Sequence, residues 1–224
     1  MMHLVSGVYD SLFHVEEQKI LIVGCQDSGK TTLLEHLKLL LSKSPKEEIP
    51  LAARRVIPTV GLNVARLSLD QVHLVVWDLG GQPSLRPLWG NYFKQCDGMI
   101  FVVDASNSNS VVDAKEVLKS ILLHPSLTSI PVSVVANKTD HSSCMRAAEI
   151  QETLELVDVA VNERLYCNRI TEQCDVSLCG GVSGAGARLF KIHLCSALTG
   201  ANIVPALRWL SSAIAMSKAA KTVA

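Results

Sequence analysis

Gly24-Cys25-Gln26-Asp27-Ser28-Gly29-Lys30-Thr31 fits the spacing G-x-x-x-x-G-K-[ST]. Glycines at these positions let the backbone wrap a phosphate. Successive N–H groups and the N-terminus of a following helix add partial positive charge. In such a loop Lys30 sits on the β- and γ-phosphates and the Thr31 hydroxyl ligates Mg²⁺, with Gly24, Gln26, Asp27, Ser28, Gly29 and Thr32 completing the cradle. A second group, Asp78-Leu79-Gly80-Gly81-Gln82, ends an apolar run. Asp78 is placed to hold the Mg²⁺ shell through water, Gly81 to offer its N–H to a γ-phosphate, and Gln82 to orient an attacking water. Alone this is a D-x-x-G turn of modest specificity. Beside a phosphate loop it is a strong signal.

The third group is Asn137-Lys138-Thr139-Asp140. A carboxylate here accepts both N1–H and the 2-amino group of guanine. Adenine offers neither donor, so a site built this way rejects it. The fourth is Cys195-Ser196-Ala197-Leu198, where a backbone N–H in Ser196, Ala197 or Leu198 is placed to reach guanine O6.

These groups need strands and helices to position them. Residues 19–23 read as a buried strand, 30–43 as a helix with Leu33, Leu34, Leu37, Leu40 and Leu41 on one stripe, and 60–69 and 72–77 as two strands around a turn at Asp70-Gln71. Strands are expected at 98–103, 132–136 and 189–195, and helices at 110–123, 146–160 and 201–216. Alternation of this kind predicts an α/β fold with a parallel sheet covered on both faces. Two stretches stand outside it: the polar connection 44–58 and the Gly-, Ser- and Cys-rich segment 166–188, read as an inserted surface loop.

At 224 residues the chain suits one domain. Lys+Arg and Asp+Glu number 21 each, a balance that argues against a large nucleic-acid footprint. No apolar run approaches the ~20 residues of a membrane-spanning helix. The N-terminus lacks the marks of a secretory signal. The 7 scattered cysteines are expected to be reduced thiols in an intracellular compartment. Cys167, Cys174 and Cys179 lack a C-x-x-C pair, so structural zinc is disfavoured. His36, His73 and His141 are read as surface residues.

Phosphate loop, Thr59, D-x-G-G-Q, N-K-x-D and S-A-L occur in the order of the Ras superfamily, each at a strand end. The words Pro58-Thr59-Val60-Gly61-Leu62-Asn63, Trp77-Asp78-Leu79-Gly80-Gly81-Gln82 and Arg86-Pro87-Leu88-Trp89-Gly90-Asn91-Tyr92-Phe93 resemble the Arf/Arl family of small GTPases. Leu4-Val5-Ser6-Gly7-Val8-Tyr9-Asp10-Ser11-Leu12-Phe13, with T-V-G-L-N, is most similar to the Arf-related protein subgroup.

The resemblance implies a P-loop NTPase (small G-protein) fold: a mostly parallel six-stranded sheet with helices on both faces. It divides the chain into an amphipathic N-terminal helix (1–15), a GTPase domain (16–216, with 166–188 inserted) and a tail (217–224). It implies a guanine-nucleotide switch that binds GTP/GDP with Mg²⁺, hydrolyses GTP slowly and recruits effectors in Golgi or endosomal vesicle traffic. Thr59 becomes the switch threonine on Mg²⁺. The hairpin over 60–77 becomes an element that slides register on GTP binding and displaces the N-terminal helix. Leu62, where the family usually has Phe, Trp77 and Tyr92 become the effector-facing triad. An exchange factor, an activating protein that supplies an arginine, and a Golgi membrane or membrane receptor are implied as partners. The expected place is cytoplasmic, reversibly associated with trans-Golgi membranes.

Leu4, Val5, Val8 and Leu12 lie on one helical stripe. Met2 stands where a myristoylated Gly would be needed, so lipidation there is excluded and a second anchor, a receptor met by an acetylated N-terminus, is expected. Gln26-Asp27 and Pro83 depart from the family words. Asp27 puts a carboxylate near phosphates, and Pro83 stiffens the segment carrying Gln82. They motivate an alternative: a nucleotide-binding scaffold with degraded hydrolysis. A P-loop ATPase or kinase is disfavoured by Asp140.

Overall fold

The structure is a computed structural model that describes residues 16–42, 59, 61–155 and 189–223. Strand β1 (Glu17–Gly24) leads into α1 (Lys30–Leu40). Strands β2 (Leu62–Leu69) and β3 (Val72–Leu79) form the hairpin, followed by a 3-10 turn at Arg86–Trp89 and one turn of helix, α2 (Gly90–Phe93). Then come β4 (Gly98–Asp104), α3 (Ser108–Leu122), β5 (Val132–Asn137), α4 (Ala147–Thr153), β6 (Phe190–Leu194) and α5 (Ile203–Val223). The sheet order is β2-β3-β1-β4-β5-β6. Only the β2–β3 pair is antiparallel, Leu62 opposite Leu79 and Leu69 opposite Val72.

Successive strand residues point to opposite faces, and β1 shows what that does. Leu21 and Val23 enter one core with Phe93, Met99, Phe101 and the buried face of α3. Ile20 and Ile22 enter the other with Leu33, Leu34 and Leu37 of α1 and Leu207, Trp209 and Leu210 of α5. A strand buried on both faces reads as an unbroken apolar run, as KILIV does. Because β1 lies between β3 and β4, its carboxyl end is the switch point of the sheet, the place where ligands sit in open α/β folds. The phosphate loop begins there.

Three expectations need correction. Helix α1 ends at Leu40, which is 46% exposed and off the apolar stripe. The final helix runs on to Val223, so the expected tail is mostly helix; Ser217 Oγ caps the Ser129 carbonyl at 3.0 Å, and Lys218 reaches Asp97 at 3.3 Å. His36 is buried, while His73 and His141 are exposed as expected. The expected N-terminal helix, the connection 44–58, Val60 and the segment with Cys167, Cys174 and Cys179 lie outside the described residues. Among the described residues no helix is long and apolar enough to cross a membrane, and Cys25, Cys96, Cys144 and Cys195 carry no disulfide.

His193 on β6 is buried against Trp209, ring centroids 5.3 Å apart, and its Nε2 has no partner among the described residues. Burial, with the Lys191 charge behind it, pushes its pKa down to about 3. The unfolded chain therefore binds a proton near pH 6.5 that the folded chain refuses. Stability from this group is complete above that pH and is lost as pH falls toward 3, by up to about 1.4 kcal/mol per pH unit. Urea midpoints at pH 7 and pH 5 should separate less in His193→Phe than in the parent; equal separation would contradict the assignment.

Candidate functional site

The carboxyl ends of β1, β3 and β5 surround a cavity of about 340 Å³ lined by Gln26, Asp27, Gly29, Lys30, Thr31, Thr32, Thr59, Gly80, Gly81, Gln82 and Lys138. Three of the four sequence motifs line it, and the fourth is bonded to the third through Ser196 and Ala197, although 172 positions separate Gly24 from Ser196 in the chain. Lys30 opens α1 and is buried; its Nζ donates to the Cys25 carbonyl at 2.6 Å and to Ser28 Oγ at 3.4 Å. Burial lowers its pKa to about 8, against the pull of Asp78, Cys25 and Asp27. A phosphate in the loop would favour the charged form further.

Thr31 Oγ1 donates to Asp78 Oδ2 at 2.8 Å and lies 2.8 Å from Thr59 Oγ1; Thr59 Oγ1 is 3.5 Å from the same carboxylate oxygen. Asp78 is fully buried, and its other oxygen, Oδ1, has no partner among the described residues. Burial raises its pKa, opposed by the Thr31 hydrogen bond and the Lys30 charge. A buried carboxylate with a free oxygen, set between two hydroxyls, is incomplete without a cation. Hard oxygen donors from few side chains, leaving room for water and phosphate, suit Mg²⁺. The residues present fit that ion.

Above this cluster the D-x-G-G-Q segment is tightly confined. A Cβ on Gly80 would come within 2.5 Å of the Thr59 carbonyl, and one on Gly81 within 2.5 Å of the Gly24 carbonyl and 2.7 Å of the Cys25 carbonyl carbon. Two glycines are required by that approach. Trp89 Nε1 donates to the Gly80 carbonyl at 3.0 Å, which explains the Trp in R-P-L-W. Gln82 is half-buried on the cavity wall, followed by exposed Pro83. Arg86, which sequence reasoning passed over, donates from Nε to the Gly81 carbonyl at 3.4 Å. Asp27 adopts φ 60° and is exposed, so its carboxylate is not forced onto a phosphate.

The base end is held by Asn137. Its Nδ2 donates to the Ser28 carbonyl at 2.8 Å, and its Oδ1 accepts from Ala197 N–H at 2.8 Å. Ala197's N–H, one candidate for guanine O6, is thus already engaged. Ser196 Oγ donates to Asp140 Oδ1 at 2.5 Å, and Asp140 is exposed. Lys138 Nζ pairs with Asp104 Oδ2 at 2.5 Å. Burial works to raise the Asp104 pKa, but the bonds from Lys138 and Ser106 outweigh it and hold the carboxyl below its usual range. Asp104 was legible in principle: it ends β4 opposite Asn137 in parallel register. Thr139 is half-buried, its N–H bonded to the Cys195 carbonyl at 3.2 Å.

The sequence profile of the ADP-ribosylation factor family matches residues 5–214. The chain belongs to the Arf family of small GTPases. ADP-ribosylation factor-like protein 3 of Saccharomyces cerevisiae is 33% identical over 94% of this chain and 92% of its own length. ADP-ribosylation factor-related protein 1 of Homo sapiens is 31% identical over 84% of this chain and 88% of its own. The fold matches that of the Arl6 BBS3 small GTPase from Trypanosoma brucei, solved with the nucleotide analogue GppNp, at a TM-score of 0.67 and 24% identity over 90% of this chain and 99% of that one. As an Arf-family member the protein binds GTP and GDP with Mg²⁺, hydrolyses GTP and is a nucleotide-dependent switch.

Asn137 joins the phosphate loop to the base loop by two buried bonds. Asn137→Ala should therefore cost about 2–3 kcal/mol of stability and release nucleotide faster, read by thermal unfolding and by filter-bound GDP retention. Retention equal to the parent's would contradict the bridging role.

Proposed function

We propose that this chain is an Arf-type switch at Golgi or endosomal membranes, in which Lys30 neutralises the β- and γ-phosphates, Gln82 serves catalysis and the hairpin face recruits effectors. The observation that carries the reading is the cluster of the Thr31 and Thr59 hydroxyls on one oxygen of buried Asp78, whose other oxygen has no partner among the described residues. The Thr59 hydroxyl beside that of Thr31 supports the reading, because a γ-phosphate and its Mg²⁺ order a switch segment of this kind. Mg²⁺, which Thr31, Thr59 and Asp78 would hold, would supply neutralisation of the phosphate charge. The protein does the rest. Gly24, Gln26, Asp27, Ser28, Gly29, Thr32 and Gly81 present backbone N–H groups or shape to phosphate, and Asn137, Lys138, Asp140, Ser196, Ala197 and Leu198 frame guanine. Gln82 orients a water whose oxygen joins the γ-phosphorus as the bond from that phosphorus to the β–γ bridging oxygen breaks, so that GDP leaves and the γ-phosphoryl group becomes phosphate. Arg86 is occupied with the Gly81 carbonyl, so an activating partner supplies the catalytic arginine.

The exposure of β2 and β3 supports the effector reading. Leu62 and Val64 are 41% and 45% exposed on the outer edge strand, and Leu88 beyond them is 50% exposed. Trp77 and Tyr92 meet edge to face at 5.8 Å between centroids, forming a half-buried aromatic floor. An exposed apolar patch of this kind on an edge suits a protein partner. Membrane attachment is assigned to the N-terminal stripe Leu4, Val5, Val8 and Leu12, met by a membrane receptor.

Two experiments test the reading. In single-turnover assays with an activating protein, Gln82→Leu should slow GTP hydrolysis about a hundredfold or more; an unchanged rate would remove Gln82 from catalysis. In cells, the tagged full chain carrying Gln82→Leu should concentrate on Golgi membranes and Thr31→Asn should be dispersed. Identical dispersed distributions would overturn the membrane assignment.

A further inference from the structure

We propose that His36 is a positioning residue for guanine recognition, aiming the Ala197–Leu198 peptide at the base from the far side of the phosphate helix. His36 lies on α1, on the buried face and remote from the phosphates that the same helix addresses through Lys30 and Thr31. Its Nδ1 is 2.7 Å from the Ala197 carbonyl. A carbonyl only accepts, so Nδ1 carries the proton and donates. The imidazole lies in a slot kept open by Gly200: a Cβ there would come within 2.8 Å of Nε2, and Gly200 holds φ 84°, a conformation that favours glycine.

The consequence follows from peptide planarity. The Ala197 carbonyl and the Leu198 N–H belong to one rigid trans unit and point in opposite directions. Drawing the carbonyl inward to His36 turns the Leu198 N–H outward, on the side where Leu198 is 50% exposed and Asp140 stands at the rim. The neighbouring N–H, on Ala197, is already given to Asn137. Asn137 thus holds the Ala197 N–H and His36 sets the Leu198 N–H, the two donors that this loop can present to guanine O6. Three bonds also close a ring: Ser28 to Asn137, Asn137 to Ala197, Ala197 to His36, and back along α1 to the phosphate loop. The base loop is thereby registered to the phosphate loop at two points, one on each side of the same residue.

This inference rests on the guanine reading of Asp140 and the 196–198 loop. The test uses the full chain, GDP and 6-thio-GDP, in which sulfur replaces O6 while N1–H and the 2-amino group remain. His36→Leu keeps the volume and loses the donor; His36→Asn keeps a donor at the Nδ1 position. The Leu variant should release GDP about two- to tenfold faster, the span of one net hydrogen bond. It should also lose part of the parent's preference for GDP over 6-thio-GDP, and the Asn variant should restore both. A Leu variant with a lowered Tm but the parent's preference would overturn the proposal and leave His36 a packing residue. So would a folded Asn variant that behaves like Leu. A parent chain that holds ADP as firmly as GDP would instead overturn the guanine reading beneath it.

Discussion

Two opposite charges, Lys30 and Asp78, are buried at the carboxyl end of one sheet, and the rest of the site is arranged around the need to complete them. Burying either in isolation is costly. Lys30 spends its protons on the Cys25 carbonyl and Ser28, and Asp78 takes the Thr31 hydroxyl, but one carboxylate oxygen remains unmatched. Phosphates and Mg²⁺ are the partners whose charges close this set. The nucleotide is in this sense a missing piece of the core, which is why glycines at 80 and 81 allow backbone to approach the loop so closely.

The same constraint makes the site a sensor. Thr59 joins Thr31 and Asp78, and its carbonyl lies against Gly80. Gly80 in turn is bonded through its N–H to the Gly61 carbonyl at 3.2 Å and through its carbonyl to Trp89. A change at the γ-phosphate position is thus passed by direct contact to the start of β2 and to the segment beyond β3. These flank the exposed Leu62 and Leu88, so the phosphate site and that apolar surface share one set of backbone bonds. At the other end Asn137 and His36 hold the base loop to the same phosphate helix.

Motifs with fixed spacing were legible because each demands a strand end and a turn. KILIV with G-x-x-x-x-G-K-T fixes β1, loop and α1 together, and Asp70-Gln71 fixes the hairpin. What the sequence could not carry were contacts made by residues with ordinary spacing. His36 looks like a polar position between leucines, and only the packing of Gly200 against it reveals a buried ring. Asp104 looks like the polar end of a strand until register places it beside Asn137 and its side chain on Lys138. Ends of helices were the weakest expectations. Leu40 extends an apolar stripe that the helix does not use, and Ala- and Lys-rich residues after 216 continue α5 because they are good helix formers.

The central claim is that a guanine nucleotide completes the buried charges of this chain. The most direct measurement is to purify the protein without added nucleotide, denature it and identify by chromatography what it releases. About one GDP or GTP per folded chain is the predicted result. A folded, stable protein that releases nothing, or that releases adenine nucleotide, would contradict the account.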